Sequence, residues 1–167
     1  TSSGKTIQNY LSLNNNEKLI SLLNIPSLEK NKNLKYLIIA TKNGLIKKTP
    51  LTEYQNIRKN GILTIKLSKG DSLIGAQFST GNDDLILITK KGLSIRFKES
   101  EIRAMKRGTS GVIGMKLQKD DELIALIRSD RDLKSQILTV SEKGFGKKTP
   151  LKDYRLQKRG GRGIKTY

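Results

Sequence analysis

Basic residues are the side chains of this sequence whose number and spacing suggest chemistry. The chain contains 33 Lys and Arg against 15 Asp and Glu, which gives a net charge of +18. Such an imbalance is typical of proteins that bind a polyanion, because the partner neutralises the repulsion among the cations. Cys and His are both absent, which excludes disulfides, thiolate metal sites and histidine general bases. We therefore expect neither a catalytic residue nor a metal site in this chain.

The cations recur at fixed places in an internal repeat. Residues 44–54 (GLIKKTPLTEY) and 144–154 (GFGKKTPLKDY) are identical at seven of eleven positions. Two sets of glycines mark a period of about fifty residues. The first set is Gly44, Gly92 and Gly144, and the second is Gly61, Gly111 and Gly163. A charge pattern tied to a repeat favours a common partner over scattered solvated charge.

Each unit of about fifty residues predicts four short strands separated by turns. Apolar runs precede the first glycine set, and apolar residues alternate with other residues over 62–67 and 112–117, as expected of half-buried strands. Asn43-Gly44 predicts a two-residue type I′ hairpin turn. A four-stranded sheet of this size cannot bury both faces alone, so neighbouring sheets must stack. We predict an all-β, propeller-like fold with units over about 1–35 (a partial variant), 36–83, 84–134 and 135–167 (partial), all within one domain over 1–167.

Two groups of cations are the candidate phosphate contacts. The first group lies on strands just after the hairpin turns: Lys47, Lys48, Arg96, Lys147 and Lys148. The second precedes the landmark glycines: Arg58, Lys59, Arg103, Lys106, Arg107, Lys158, Arg159 and Arg162. Because a strand alternates, at most one residue of an adjacent pair can lie on a given face. Phosphate contacts give affinity without reading sequence, and the 5% aromatic content favours duplex over single-stranded DNA.

Two stretches resemble the C-terminal domain of bacterial DNA gyrase A. Residues 96–105 (RFKESEIRAM) followed by 111–117 (GVIGMKL) resemble one of its blades almost position by position. A heptad is similar to the glycine-rich basic box of that family: Gln157, Lys158, Arg159, Gly160, Gly161, Arg162 and Gly163. The resemblance implies a β-pinwheel of four-stranded blades, with about three blades and partial ends in this chain. The heptad is either the functional box or a secondary, box-like turn.

The same resemblance implies the function. A domain of this family binds and wraps duplex DNA and so supports negative supercoiling by the parent DNA gyrase, an ATP-dependent type II topoisomerase (an isomerase). The parent would use ATP and Mg²⁺ in other domains or subunits, and the DNA-cleaving tyrosine belongs to an N-terminal domain. We therefore expect no enzyme activity and no cofactor in this fragment. The implied partners are duplex DNA, the rest of gyrase A, and gyrase B in a heterotetramer.

Other assignments stay open. The chain could be the corresponding domain of the gyrase A counterpart in topoisomerase IV, which relaxes and decatenates DNA, or a propeller-like protein-interaction scaffold with acidic partners. No apolar run approaches the ~20 residues of a membrane span, so we expect no membrane partner. The start at Thr1 suggests a piece of a longer chain. The expected location is the bacterial cytoplasm, with a bacterium-derived organelle as the alternative.

Overall fold

The fold is almost entirely β-structure. The computed structural model of this protein describes residues 4, 17–23, 33–56, 61–132 and 134–166. Its strands are β1 (Tyr36–Thr41), β2 (Leu45–Pro50), β3 (Leu73–Ser79), β4 (Asp84–Thr89), β5 (Leu93–Lys98), β6 (Val112–Ile113), β7 (Leu123–Ser129), β8 (Gln136–Val140), β9 (Gly146–Pro150) and β10 (Ile164–Lys165). Three short 3₁₀ turns follow the hairpins, at Leu51–Tyr54, Glu99–Glu101 and Leu151–Asp153. The predicted all-β class is confirmed.

The strands form two four-stranded antiparallel sheets and one two-stranded sheet. The first sheet has the order β3-β1-β2-β6, the second β10-β5-β4-β7, and the third consists of β8 and β9. The outer strand β6 of the first sheet comes from the segment after β5, which belongs to the second sheet. Likewise, β10 of the second sheet comes from the segment after β9. Each four-stranded sheet thus receives its last strand from the chain beyond the next hairpin.

The second sheet is covered on both faces, which explains its continuous apolar strand. Leu85 and Leu87 of β4 pack in the main core together with Ile38 and Ile46 of the first sheet. Ile86 points the other way and packs against residues of the third 3₁₀ turn and its end, Leu151 and Tyr154. Neighbouring residues of a strand face opposite sides of a sheet. Burying each aliphatic side chain contributes about 1.5–3 kcal/mol, so stacking on both faces stabilises the array.

The three predicted hairpins are present, but the predicted type I′ turn is wrong. The backbone φ is positive at Gly44 (91°) and not at Asn43, whereas a type I′ turn requires both. The turn spans residues 42–44, and the Gly44 N–H donates to the Thr41 carbonyl at 3.1 Å. A Cβ at position 44 would lie 2.5 Å from the Met115 carbonyl oxygen. Close packing against the neighbouring segment, as well as turn conformation, therefore selects glycine here.

The strands predicted over 62–67 and 112–117 are shorter than the alternation suggested. Only Val112–Ile113 forms a strand, paired through Leu45 and Ile46 of β2, and residues 61–68 form none. Residues 62–67 have no ladder partner within the described part of the chain, and a strand needs one. Ile65 is buried while Leu63 is 66% exposed. The predicted variant unit over 1–35 lies mostly outside the described residues.

Candidate nucleic-acid interface

Two of the predicted DNA-binding cations are buried where neighbouring units contact each other. Lys48 of β2 and Arg96 of β5 occupy the same position of the repeat, four residues after Gly44 and Gly92. The Lys48 Nζ donates to the Glu99 carbonyl at 3.2 Å, and the Arg96 Nη1 donates to the Leu151 carbonyl at 3.1 Å. Glu99 and Leu151 each begin the 3₁₀ turn of the following unit. Each cation therefore binds the first carbonyl of the neighbouring turn.

Both buried cations also have acidic partners. The Arg96 Nε and Nη2 donate to Oδ2 of Asp84 at 3.0 and 2.7 Å, in a pair that is almost completely buried. The Lys48 Nζ lies 3.8 Å from a carboxylate oxygen of Glu99 and 4.9 Å from the centre of the Tyr36 ring. Burial lowers the pKa of Lys48, and the Glu99 carboxylate offsets only part of that shift.

Lys47 is buried on the opposite face of β2. Its side chain is 0% exposed, and its Nζ donates to the Thr64 carbonyl at 2.5 Å. Burial lowers the pKa of Lys47 as well. Lys47 and Lys48 thus lie on different faces of the strand, as expected, but stacked neighbours cover both faces, so neither lysine is accessible to a phosphate. These two residues and Arg96 are structural cations, and we leave them out of the interface.

The third copy of this strand is different. Lys147 and Lys148 of β9 are exposed, although they are the repeat equivalents of Lys47 and Lys48. In the described chain β8 and β9 pair only with each other. The two lysines are thus accessible to a ligand. Arg58 and Lys59 lie outside the described residues.

Two equivalent loops, residues 103–111 and 155–163, present the other cations side by side. In the first loop, the Gly108 N–H donates to the Thr64 carbonyl at 3.4 Å, and the Thr109 carbonyl accepts from the Lys66 N–H at 3.2 Å. In the second loop, the Gly160 N–H donates to the Gly114 carbonyl at 2.8 Å, and the Gly161 carbonyl accepts from the Lys116 N–H at 2.9 Å. The second loop thus pairs with the segment that directly follows the first. Successive loops therefore lie next to one another.

Exposed cations recur on these loops and on the segments to which they pair. Arg103 and Lys106 of the first loop correspond to Arg155 and Lys158 of the second, which also presents Arg162. We call the following exposed residues the cation row: Lys66, Arg103, Lys106, Lys116, Arg155, Lys158 and Arg162. Sequence reasoning missed Lys66, Lys116 and Arg155 as site residues. The repeat register was the signal for all three, since Lys66 matches Lys116 and Arg155 matches Arg103.

Arg107 and Arg159 also lie on the loops but are half-buried. The Arg107 Nε is 3.7 Å from a carboxylate oxygen of Glu53. The Arg159 N–H donates to a carboxylate oxygen of Glu101 at 2.8 Å, and its Nε donates to the Glu101 carbonyl at 3.2 Å. These two arginines therefore bind other residues of the protein and are only partly accessible to solvent.

The paired acids of residues 120–121 form a turn. An Asp121 carboxylate oxygen accepts from the backbone N–H groups of Lys91 and Glu122 at 3.1 and 2.9 Å. This is the capping use of a short acidic side chain. Tyr154 is buried and packs with Ile86 and Leu151. None of the helical turns in the described residues is long or apolar enough to cross a membrane.

The family model of the DNA gyrase C-terminal domain, a beta-propeller, matches residues 35–79, 83–130 and 135–167. The chain belongs to this family. DNA gyrase A of Staphylococcus epidermidis is 38% identical over 165 residues, which is 99% of this chain and 18% of that relative. DNA gyrase A of Haloquadratum walsbyi is also 38% identical and is covered to 19%. The chain thus spans about a fifth of the length of these relatives.

Solved structures of the same kind of domain superpose closely on this gyrase-family chain. The C-terminal domain of DNA topoisomerase IV matches with a TM-score of 0.85 and 27% identity, over 96% of this chain and 49% of that one. The gyrase A C-terminal domain matches with a TM-score of 0.83 and 28% identity, over 96% of this chain and 52% of that one. The chain therefore spans about half of these solved domains. Its resemblance to the family, stated from the motifs, is confirmed.

Proposed function

We propose that this chain binds duplex DNA along the cation row and bends it, as the C-terminal domain of a type II topoisomerase most like gyrase. The observation that supports this best is the side-by-side placement of equivalent loops with exposed cations at equivalent positions, such as Lys106 and Lys158. Exposed cations at repeat-equivalent positions can each neutralise a phosphate of a duplex. Glycines beside them let the DNA backbone approach closely.

The energetics are consistent with this role. Smooth bending of a 20–30 bp duplex costs about 1–6 kcal/mol. Each phosphate neutralised by a Lys or Arg releases condensed counterions, and log K falls with log salt concentration by about 0.9 per contact. Several contacts from the cation row therefore offset the bending cost at low salt and lose that ability at high salt.

In the parent enzyme, wrapping would fix the sign of the DNA crossing and so support negative supercoiling. That enzyme would comprise the rest of gyrase A together with gyrase B, use ATP and Mg²⁺ in those other parts, and act in the bacterial cytoplasm. The cleavage chemistry would lie in those parts as well, so this chain alone would bind DNA without cutting it.

The test is DNA binding at graded salt with short and long duplexes. We expect tighter binding to the long duplex and a steep salt slope, which the triple variant K106Q/K158Q/R162Q reduces by about 2.7, or about 0.9 per contact. The matched control is K134Q/K143Q, which removes exposed charges outside the cation row and should leave the slope nearly unchanged. A flat salt slope without length preference, together with binding to an acidic protein, would replace this proposal with the scaffold function.

Topoisomerase IV is the second candidate, because a solved C-terminal domain of that enzyme superposes as well as the gyrase domain does. The two differ in the reaction of the assembled parent. Negative supercoiling of relaxed plasmid would identify gyrase, whereas relaxation and decatenation without supercoiling would identify topoisomerase IV.

A further inference from the structure

Arg159 makes three contacts that its neighbours in the heptad do not repeat. Its backbone N–H donates to Oε2 of Glu101 at 2.8 Å, and its Nε donates to the Glu101 carbonyl at 3.2 Å. Its Nη1 donates to the Ile113 carbonyl. Lys158 and Arg162, on either side, are exposed. The three cations of one basic motif therefore have different surroundings.

The partners of Arg159 belong to different sheets. Glu101 ends the 3₁₀ turn that follows β5 of the second sheet, and Ile113 lies in β6 of the first sheet. Arg159 itself lies on the loop between β9 of the third sheet and β10 of the second. One planar guanidinium thus links the loop to two neighbouring sheets. A planar fork with fixed donor directions suits such a bridge, and an ammonium does not.

The preceding unit also places an arginine beside the acid of the previous turn, although there the guanidinium faces the carboxylate itself. In the repeat register Arg107 corresponds to Arg159, and Glu53 corresponds to Glu101. The Arg107 Nε lies 3.7 Å from a carboxylate oxygen of Glu53. The hydrogen bonds donated by the next backbone N–H groups, those of Gly108 and Gly160, are equivalent too. An arginine that faces the acid of the previous turn is therefore a property of the joint, and its recurrence argues against a chance surface contact.

We infer that Arg159 is a positioning residue that sets the angle between successive units, whereas Lys158 and Arg162 are the residues of the heptad that contact DNA. The assignment to DNA rests on the proposed function, while the structural role of Arg159 does not. Curvature of the cation row depends on how each loop is held against its neighbours. Loss of the Arg159 bridge would therefore reduce bending without removing a phosphate contact.

Substituting lysine separates the two roles. Arg159→Lys keeps the charge but loses the fork, and Arg162→Lys makes the same chemical change at an exposed position of the same heptad. We expect R159K to lower the unfolding midpoint and to reduce the end-to-end energy transfer of a long, dye-labelled duplex by at least twofold, with an unchanged salt slope. R162K should keep the unfolding midpoint of the wild type, because Arg162 is exposed. For bending the control is K143Q, which removes an exposed charge outside the cation row.

A second pair of variants addresses the acidic partner. Glu101→Gln retains an oxygen that can accept from the Arg159 N–H and should behave nearly as the wild type. Glu101→Ala removes that acceptor but keeps the backbone carbonyl that binds the Arg159 Nε, so it should show a smaller bending defect than R159K. R162Q should lower the salt slope by about 0.9, whereas R159Q should not.

The outcomes separate the two proposals. If R159K unfolds at the same midpoint as R162K and bends DNA as K143Q does, or if R159Q lowers the salt slope as much as R162Q, the positioning role is wrong. If the wild-type chain does not bind DNA, the proposed function fails, and the unfolding comparison of R159K with R162K still tests the bridge. A chain that binds DNA with equal bending by all variants contradicts only the inference.

Discussion

A single strand position of the repeat takes either a buried cation or a buried aliphatic residue. Lys47 of β2 corresponds to Ile95 of β5, and both are completely buried. Isoleucine fits the site without a cost for desolvation, whereas the lysine amine must be desolvated. The pKa of Lys47 is lowered for that reason. The residue is identical in type to Lys147, which is exposed, so residue type alone does not indicate its role.

Lys47→Met should therefore leave the chain at least as stable as the wild type near neutral pH. The folded pKa of Lys47 lies below its ordinary value of 10.5, so between these two values the unfolded state binds more protons and the free energy of unfolding rises with pH. We expect this rise in the free energy of unfolding at alkaline pH to be smaller in K47M. Urea unfolding from pH 7 to 10.5 measures it, with exposed K66M as the control. Identical pH profiles of K47M and wild type would contradict this explanation.

The buried Arg96–Asp84 pair leads to the opposite prediction. Arg96→Ala leaves Asp84 without its bidentate partner, and removal of one member of a buried pair costs about 3–5 kcal/mol. Arg131, whose Nε is 3.0 Å from the other Asp84 oxygen, should keep the loss near the lower end of that range.

Chemical denaturation of R96A measures this loss, and Arg103→Ala is the control. Arg103 is exposed, so its replacement should change stability by only about 0.5 kcal/mol. Equal stability of the two variants would show that neither the buried pair nor the Arg96 bond to the Leu151 carbonyl stabilises the fold.

At the scale of elements, local signals predicted the hairpins and tertiary packing decided the rest. The apolar runs before Gly44, Gly92 and Gly144 located β1, β4 and β8. The run in β4 reflects burial on both faces of that strand, whereas β8 is partly exposed. The alternation over 62–67 did not yield a strand, because pairing depends on a distant partner. The burial of Lys47, Lys48 and Arg96 was missed for the same reason, since sequence does not state that both faces of a strand are covered. The unit boundaries remain a prediction.

Glycines that pack closely against a neighbouring segment should tolerate substitution less well than glycines that lie in an open turn. At Gly163 φ is 75°, and a Cβ would lie 2.7 Å from the Ser94 carbonyl oxygen. At Gly70 φ is 80°, with nothing within 4 Å of that Cβ. Gly70→Ala should cost about 1–2 kcal/mol from the left-handed backbone alone. Gly163→Ala should cost about 1–3 kcal/mol more from overpacking.

Thermal unfolding of the two alanine variants measures this difference. The comparison emphasises packing because φ is nearly the same at both positions. Equal destabilisation would mean that the loop at Gly163 moves away from β5 without cost.

At the scale of the molecule, the net charge of +18 acts against the folded state. Like charges repel more strongly in a compact chain than in an extended one, and salt screens that repulsion, with a Debye length of about 10 Å at 0.1 M. Salt should therefore stabilise the free chain and weaken its complex with DNA.

We expect the unfolding temperature of the free chain to rise from low to moderate sodium chloride, while the affinity for duplex DNA falls over the same range. Thermal melts and binding titrations in matched buffers measure both. The triple variant K106Q/K158Q/R162Q, with less charge to screen, should show a smaller rise. A falling melting temperature would mean that exposed ion pairs such as Lys42–Glu122, which salt also screens, outweigh the repulsion.

The first sheet takes its outer strand β6 from a later part of the chain, and this has a consequence for biosynthesis. A nascent polypeptide leaving the ribosome cannot complete its first sheet until Val112–Ile113 has been made, long after the β1–β2 hairpin. During that interval the open side of β2 can pair with another molecule. Translation that pauses before this segment would therefore extend the time in which partly made chains can aggregate, and a chaperone that shields β2 would shorten it.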